Sequence, residues 1–223
     1  MDTSLNITRL ERDLSRTGDR YESFQRNRRT DVISKDILEN HPRIYLEIGA
    51  GTGWFFVAMA KQNPDLFFVA VERDRMRGNR LEYRAQREGL KNLAAFRGNV
   101  IPPLIHGIPS ESLERIYILY PCPWPKTSQR KNRWYVHPVM PHIARILRPG
   151  GLLIWASDQK FYIDEAKYVC ESKYALKTLS HGELKVNDLN DLDKFAGGRT
   201  KFEHYFLASG QPCYELISQK HSQ

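Results

Sequence analysis

With 223 residues, 41% hydrophobic and 27% charged, the chain has material for one sizeable α/β domain and is too apolar for a disordered protein. Its three cysteines, Cys122, Cys170 and Cys213, are an odd number without CxxC spacing, which argues against both a disulfide framework and a zinc cage. The net charge of +8 points toward acidic partners, and the arrangement of the charges matters more than their sum.

Residues 1–42 read as a basic N-terminal arm and a helix. Apolar positions fall at helical spacing (Leu5, Leu10, Leu14, then Ile33, Ile37, Leu38) until Pro42 breaks the pattern. The stretch MDTSLNITRLERDL lacks the apolar core of a signal peptide, and no run approaches a membrane span, so a cytoplasmic protein without membrane contact is expected. Residues 43–223 then read as one domain. RIYLEIGAGTGWFFVAMAKQNPDLFFVAVERD predicts strand, glycine turn, helix and second strand, a parallel βαβ unit with a right-handed crossover. A helix follows in MRGNRLEYRAQREGL, a third strand in NLAAFRGNV and a fourth in RIYILY. HPVMPHIARIL predicts a helix, PGGLLIWASD a fifth strand and DEAKYVCESKYAL a helix. HGELKVNDLNDLDKF reads as a solvated connector, because it lacks the glycine and terminal glutamate of a calcium loop. KFEHYFLASGQPCYELISQK holds two β-rich stretches around Ser209-Gly210, which suggest a terminal antiparallel hairpin. The expected fold is α/β: a mostly parallel, doubly wound, Rossmann-like sheet with helices on both faces.

Between Glu114 and Asp158 there is no acidic residue, yet Arg115, Lys126, Arg130, Lys131, Arg133, Arg145 and Arg148 lie there. Arg26, Arg28 and Arg29 form a second group. Basic runs without interleaved acids suggest a polyanion, and nucleic acid is the expected partner, with Arg28, Arg29, Arg130, Lys131 and Arg133 on its backbone. No metal is expected.

Open α/β sheets bind ligands where the strands end. Gly49, Gly51 and Gly53 in LEIGAGTGWF allow a sharp turn and a close backbone approach at a helix N-terminus. Trp54 stands where a dinucleotide fingerprint would need glycine, so NAD is disfavoured. GxGxG after an acidic residue resembles the S-adenosylmethionine loop of class I methyltransferases, with Glu47 facing the methionine end of that cofactor. Glu72 ends the second strand, where an acid can accept both ribose hydroxyls, and Asn99 ends the third, where it could read the adenine edge.

Taken together, the segments resemble the tRNA (guanine-N7)-methyltransferases of bacterial type. LEIGAGTGWF is similar to that family's LEIGxGxG loop, NPDLFFVAVE to its NPxxxFxGxE and YPCPWPK to its FPDPWPK. LRPGGLLIWASD resembles its LxPGGxxxxxTD, and RTKFEHYFLASGQPCYEL its TxFE segment, so the likeness runs from about Arg26 to the C-terminus. The resemblance implies methyl transfer to N7 of guanosine in tRNA, at position 46 of the variable loop, with S-adenosylmethionine held by Glu47, Glu72 and Asn99. It implies substrate contacts from Lys126, Asp158, Thr200 and Glu203, the last accepting hydrogen bonds from the guanine N1 and amino groups. Simpler roles stay open: Lys126 as a phosphate tether, Thr200 as a helix or turn cap, Asp158 as a solvated strand end.

Cys122 replaces the aspartate that the family carries at its catalytic position, and Ser157-Asp158 replaces its Thr-Asp pair. Guanine N7 carries an in-plane lone pair and no proton, so it needs no general base, and positioning supplies most of the rate. A carboxylate would still stabilise the developing charge, and Asp158 or Glu203 is expected to provide it. Two alternatives compete: a protein that binds cofactor and tRNA without catalysis, and an RNA cytosine C5-methyltransferase using Cys122 as nucleophile. A monomer or a homodimer is compatible with the sequence.

Overall fold

The computed structural model describes residues 7–8, 10–11, 33–184 and 198–222. Arg26, Arg28, Arg29, most of the arm and the acidic connector beyond Leu184 lie outside them. The first element described over its whole length is a short helix, α1 (Lys35–Asn40), whose N-cap Ser34 accepts a bond from the Ile37 amide. Then follow β1 (Ile44–Ile48), α2 (Trp54–Gln62), β2 (Phe67–Glu72), α3 (Arg75–Arg87), β3 (Leu93–Arg97) and β4 (Leu113–Leu119). The chain continues through α4 (Met140–Ile146), β5 (Leu147–Ser157), α5 (Lys160–Tyr174), β6 (Leu176–Glu183), α6 (Lys201–Ala208) and β7 (Tyr214–Lys220).

The seven strands form one sheet in the order β3-β2-β1-β4-β5-β7-β6. The pairs β3–β2, β2–β1, β1–β4 and β4–β5 are parallel, whereas β7 runs antiparallel to both β5 and β6. The order reverses between β1 and β4, so the crevice that such sheets use for ligands opens there.

β1 and β2 are buried along their whole length, because both sheet faces are covered. Ile44, Leu46 and Ile48 face a core shared with α4 and α5, which Leu10 and Ile33 also join. Tyr45 points to the other face, with Phe55 and Phe56 of α2 and Leu81 of α3. Four rings there, Tyr45, Phe56, Phe68 and Tyr117, meet edge-on or tilted at 5.1–6.4 Å between centroids. Gly53 lets α2 start against α3: a Cβ at that position would lie 2.4 Å from Leu81 Cδ1.

The doubly wound sheet and the antiparallel C-terminal pairing are as expected, with two differences of detail. Lys201–Ala208, expected as a strand, is a helix that begins at a Thr-x-x-Glu capping sequence. The outer antiparallel partner of β7 is β6, within a segment read as the end of a helix and a connector. Its exposed, polar residues hide the strand period because it is the sheet's edge.

Candidate active site

The turn after β1 carries Gly49, Gly51 and Gly53 at φ of 83°, 56° and 74°, a region open to glycine at little cost. It brings Glu47 and Glu72 together at the ends of neighbouring strands. Glu72 Oε2 accepts from the Gly51 amide at 2.8 Å and Oε1 from the Asp74 amide at 2.7 Å. A carboxylate has about four acceptor sites, so Glu72 keeps capacity for two hydroxyl donors. It lines a hollow of about 220 Å³ with Asn99, Ile101, Pro121 and Trp134. Asn99 Oδ1 accepts from the Ile101 amide at 3.1 Å, and its amide nitrogen makes no bond among the described residues.

A second hollow, of about 490 Å³, adjoins the first and shares Gly49, Arg77, Leu119 and Tyr120 with it. Glu47 lies on its floor, 3% exposed, and its Oε2 has no hydrogen-bond partner. Burial first, then the neighbouring Glu72 charge, pushes its carboxyl up to about 8, against a smaller opposing pull from Arg199. An orphaned, buried carboxylate costs free energy unless a cation or donor meets it. The two hollows therefore fit S-adenosylmethionine: Glu72 and Asn99 for the nucleoside, Glu47 for the ammonium of the methionine end. Among the described residues no group of three or more His, Cys, Asp or Glu side chains converges as a metal site. No described helix is long and apolar enough to cross a membrane.

The far wall of the larger hollow comes from α6: Thr200, Lys201, Phe202 and Tyr205. Here the expected roles change. Thr200 Oγ1 accepts from the Glu203 amide at 3.0 Å and caps the helix. Glu203 is wholly buried, and both its oxygens are occupied. Oε1 accepts from Tyr120 at 2.8 Å and from Arg199 Nη2 at 2.7 Å, and Oε2 from the Arg199 amide at 2.6 Å. Burial alone would raise its carboxyl, but the Arg199 charge together with the hydrogen bonds from Arg199 and Tyr120 outweighs it and holds the group below its ordinary value. Glu203 is thus not available to guanine. With Arg199, itself also paired to Glu215, it bolts α6 to β7 and to the strand-end Tyr120. The residues presented to a ligand are its neighbours, and sequence reasoning missed them. The Tyr120 ring meets Phe202 at a tilt with 5.0 Å between centroids, and Phe202 stacks at 4.5 Å on Phe206.

The Pro-rich turn after β4 begins and ends in strain: Tyr120 has φ 51° and Trp124 φ 47°, neither a glycine. Arg133 holds it. Its Nε and Nη2 donate to the Trp124 carbonyl at 3.1 and 2.8 Å, while Nη1 donates to Glu165 at 2.6 Å. Arg130, also buried, lies 3.5 Å from the same Glu165. Neither arginine therefore offers its guanidinium to a polyanion, contrary to expectation. Two more arginines of the acid-free basic stretch are similarly engaged: Arg148 pairs with Glu114 at 2.8 Å, and Arg145 donates to the carbonyls of Leu104 and Ile108. Lys126 and Lys131 stay exposed. Cys122 is exposed on the turn, and Asp158 is half-buried at the end of β5, where Gln159 Nε2 donates to it at 2.6 Å. Cys122, Lys126 and Asp158 line neither hollow.

Comparisons with known proteins agree with this architecture. A family model described as putative methyltransferase matches residues 41–216. The tRNA (guanine-N(7)-)-methyltransferase of Chlamydia abortus is 32% identical over 175 residues, 78% of this chain and 75% of that protein. A bifunctional methyltransferase of Rickettsia felis is 31% identical over 166 residues, 74% of this chain, which spans only 31% of that longer protein. Among solved structures, the 16S rRNA methyltransferase KamB superposes with a TM-score of 0.61 at 18% identity, covering 85% of this chain and 94% of that one, a likeness of fold alone. With its glycine turn, its strand-end acids and its Pro-Trp-Pro-Lys turn, the chain belongs to the tRNA (guanine-N7)-methyltransferase family.

Proposed function

We propose that the protein methylates N7 of a guanosine in tRNA, with position 46 of the variable loop as the expected target. Family membership supports the reaction, and the observation in the structure that carries it is the orphaned Glu47 carboxylate on the floor of the larger of two joined hollows. S-adenosylmethionine supplies an electrophilic methyl on a sulfonium, which leaves as a neutral thioether. Glu72 and Asn99 orient the nucleoside end, and Glu47 neutralises the ammonium, so the cofactor is fixed at both ends. The acceptor nitrogen needs no proton removed, so no residue has to act as base there. Tyr120, braced by Glu203, and the ring of Phe202 form an apolar wall that excludes water from the reacting atoms. N7 becomes cationic on methylation, and Asp158, the half-buried carboxylate beyond the β5 end, compensates that charge. Lys126 tethers a phosphate from the exposed end of the turn.

The test is transfer of labelled methyl from S-adenosylmethionine to unmodified tRNA, followed by cleavage at N7-methylguanosine. Label released at position 46 is expected. Label on cytosine would replace this reaction by one through Cys122, and saturable tRNA binding with no label would leave a binding protein.

A further inference from the structure

The burial of Arg130 and Arg133 leaves open which surface meets the nucleic acid, and α3 provides one. At 100° per residue, Arg77, Arg80, Arg84 and Arg87 fall within about 80° of arc and form one stripe down the helix. Arg77 lies near Glu72 and Asp74, and Arg87 pairs with Glu88. Arg80 and Arg84 enter no ion pair among the described residues, and Arg80 is exposed. The stripe is not isolated from the active site. Arg77 lines both hollows, and the Arg84 guanidinium lies 5.7 Å from the centre of the Trp54 ring. Lys201, from α6, sits 4.9 Å from the same ring. Trp54 thus stands between the larger hollow and a shallow groove of about 380 Å³ bordered by Val57, Lys61 and Arg84. Tyr83 and Tyr205 stand out beside this path, 64% and 66% exposed.

We propose that the α3 stripe centred on Arg80 and Arg84, joined across the Trp54 ring by Lys201, carries the phosphate backbone of the RNA strand next to the reacting nucleotide. This rests on the RNA-methylating reading above. The chemistry matches that partner. Guanidinium groups at one-turn spacing meet successive phosphates, and exposed tyrosines among them suit unstacked bases. The track leads to the mouth of the hollow where the methyl donor is held, so one strand can span both. An acidic protein would find the cations but would have no use for the adjoining tyrosines and base-sized hollow.

The experiment uses the full chain carrying Arg80→Gln and Arg84→Gln together. A control, Lys173→Gln with Lys177→Gln, removes the same charge near β6, at the opposite edge of the sheet from α3. Affinity for an unmodified tRNA transcript is measured by fluorescence anisotropy across a salt series, and affinity for S-adenosylhomocysteine by calorimetry. The α3 variant is expected to bind tRNA about tenfold more weakly and to flatten the log–log salt slope by about 2, since each lost phosphate contact removes close to one released counterion. Its S-adenosylhomocysteine affinity stays unchanged, and the control loses less than about twofold in tRNA affinity. Wild-type affinity and slope in the α3 variant, or an equal loss in the control, would overturn the track while leaving the reaction intact. Normal tRNA binding through α3 with label on another base would overturn the reaction alone, and a wild-type protein that binds no tRNA would remove both.

Discussion

The two walls of the active-site cleft are built by opposite strategies. On the β1–β3 side the polar residues line the hollows and are left incomplete: Glu47 has an orphan oxygen, and Glu72 spends two backbone bonds on being positioned. On the side of the β4 turn and α6, the polar residues are turned inward and satisfied by one another. Glu203 is filled by Arg199 and Tyr120, and Glu165 by Arg133 and Tyr135. What that wall shows the ligand is ring faces and a lysine. A buried glutamate is thus left open on one wall and completed by the protein on the other, and the difference lies in whether protein donors reach it.

Substitution of the two buried glutamates is the strongest way to break this comparison. Glu203→Gln leaves Arg199 buried with part of its compensating charge gone, and loss of one partner of such a pair costs about 3–5 kcal/mol. Urea unfolding of the cofactor-free protein at neutral pH should show that loss. A change within about 0.5 kcal/mol would mean that Glu203 is not structural. Glu47→Gln removes a charge that the fold itself disfavours, so at pH 8 the cofactor-free protein should be no less stable than wild type, and more stable if its packing is kept.

The second effect is on the cofactor. Loss of a charge-assisted bond of roughly 1.5–3 kcal/mol should weaken S-adenosylhomocysteine binding by Glu47→Gln about 10- to 100-fold. Wild-type affinity should also climb from about pH 6 to 7.5 as Glu47, with its carboxyl at about 8, ionises more readily. The ligand's own ammonium must stay protonated for this pairing, which limits the climb at higher pH. Calorimetry in buffers of different ionisation enthalpy would detect the proton released, and a pH-independent affinity would disconnect Glu47 from the ligand. Stability of the cofactor-free protein moves the other way. The folded-state pKa of about 8 exceeds the ordinary 4.5, so the folded state binds the extra proton between them. Glu47's contribution to stability is complete below about pH 4.5 and is lost as pH rises through about 8.

The sequence was legible where local backbone chemistry does the positioning. Three glycines, a following helix and an acid at the next strand end specify the cofactor turn within about thirty residues, and no distant contact can change their meaning. The other wall was not legible in the same way. Thr200 and Glu203 read as ligands because they are polar, but a Thr-x-x-Glu sequence is equally a helix start, and only the arrival of Arg199 and Tyr120 shows where the carboxylate goes. The basic stretch misled for a related reason. It has no acids of its own, yet Glu114 and Glu165, adjacent to or beyond its ends, neutralise Arg148 and Arg133 in space. The arginines of α3 do not stand out in the sequence, because acids at Asp74, Glu82 and Glu88 dilute them there; in three dimensions Asp74 and Glu88 engage Arg77 and Arg87 at the ends of the stripe and leave its centre, Arg80 and Arg84, without an ion pair among the described residues.

The smallest expected effect comes from Cys122, where the chain departs from its family's pattern. The turn carrying it is pinned on both sides, by Tyr120 to Glu203 and by the Trp124 carbonyl to Arg133, so a new side chain at 122 should not move the main chain. The thiol is exposed, which leaves room for a carboxylate and also screens it with water. Cys122→Asp should therefore raise kcat several-fold, about 1 kcal/mol of added stabilisation of the cationic purine, with cofactor affinity unchanged. Single-turnover transfer to unmodified tRNA measures this directly. Combining it with Asp158→Asn sharpens the result, since a carboxylate at 122 should recover most of the rate that Asp158→Asn loses. An unchanged or lower rate for Cys122→Asp would mean that the turn faces the RNA but not the base that receives the methyl.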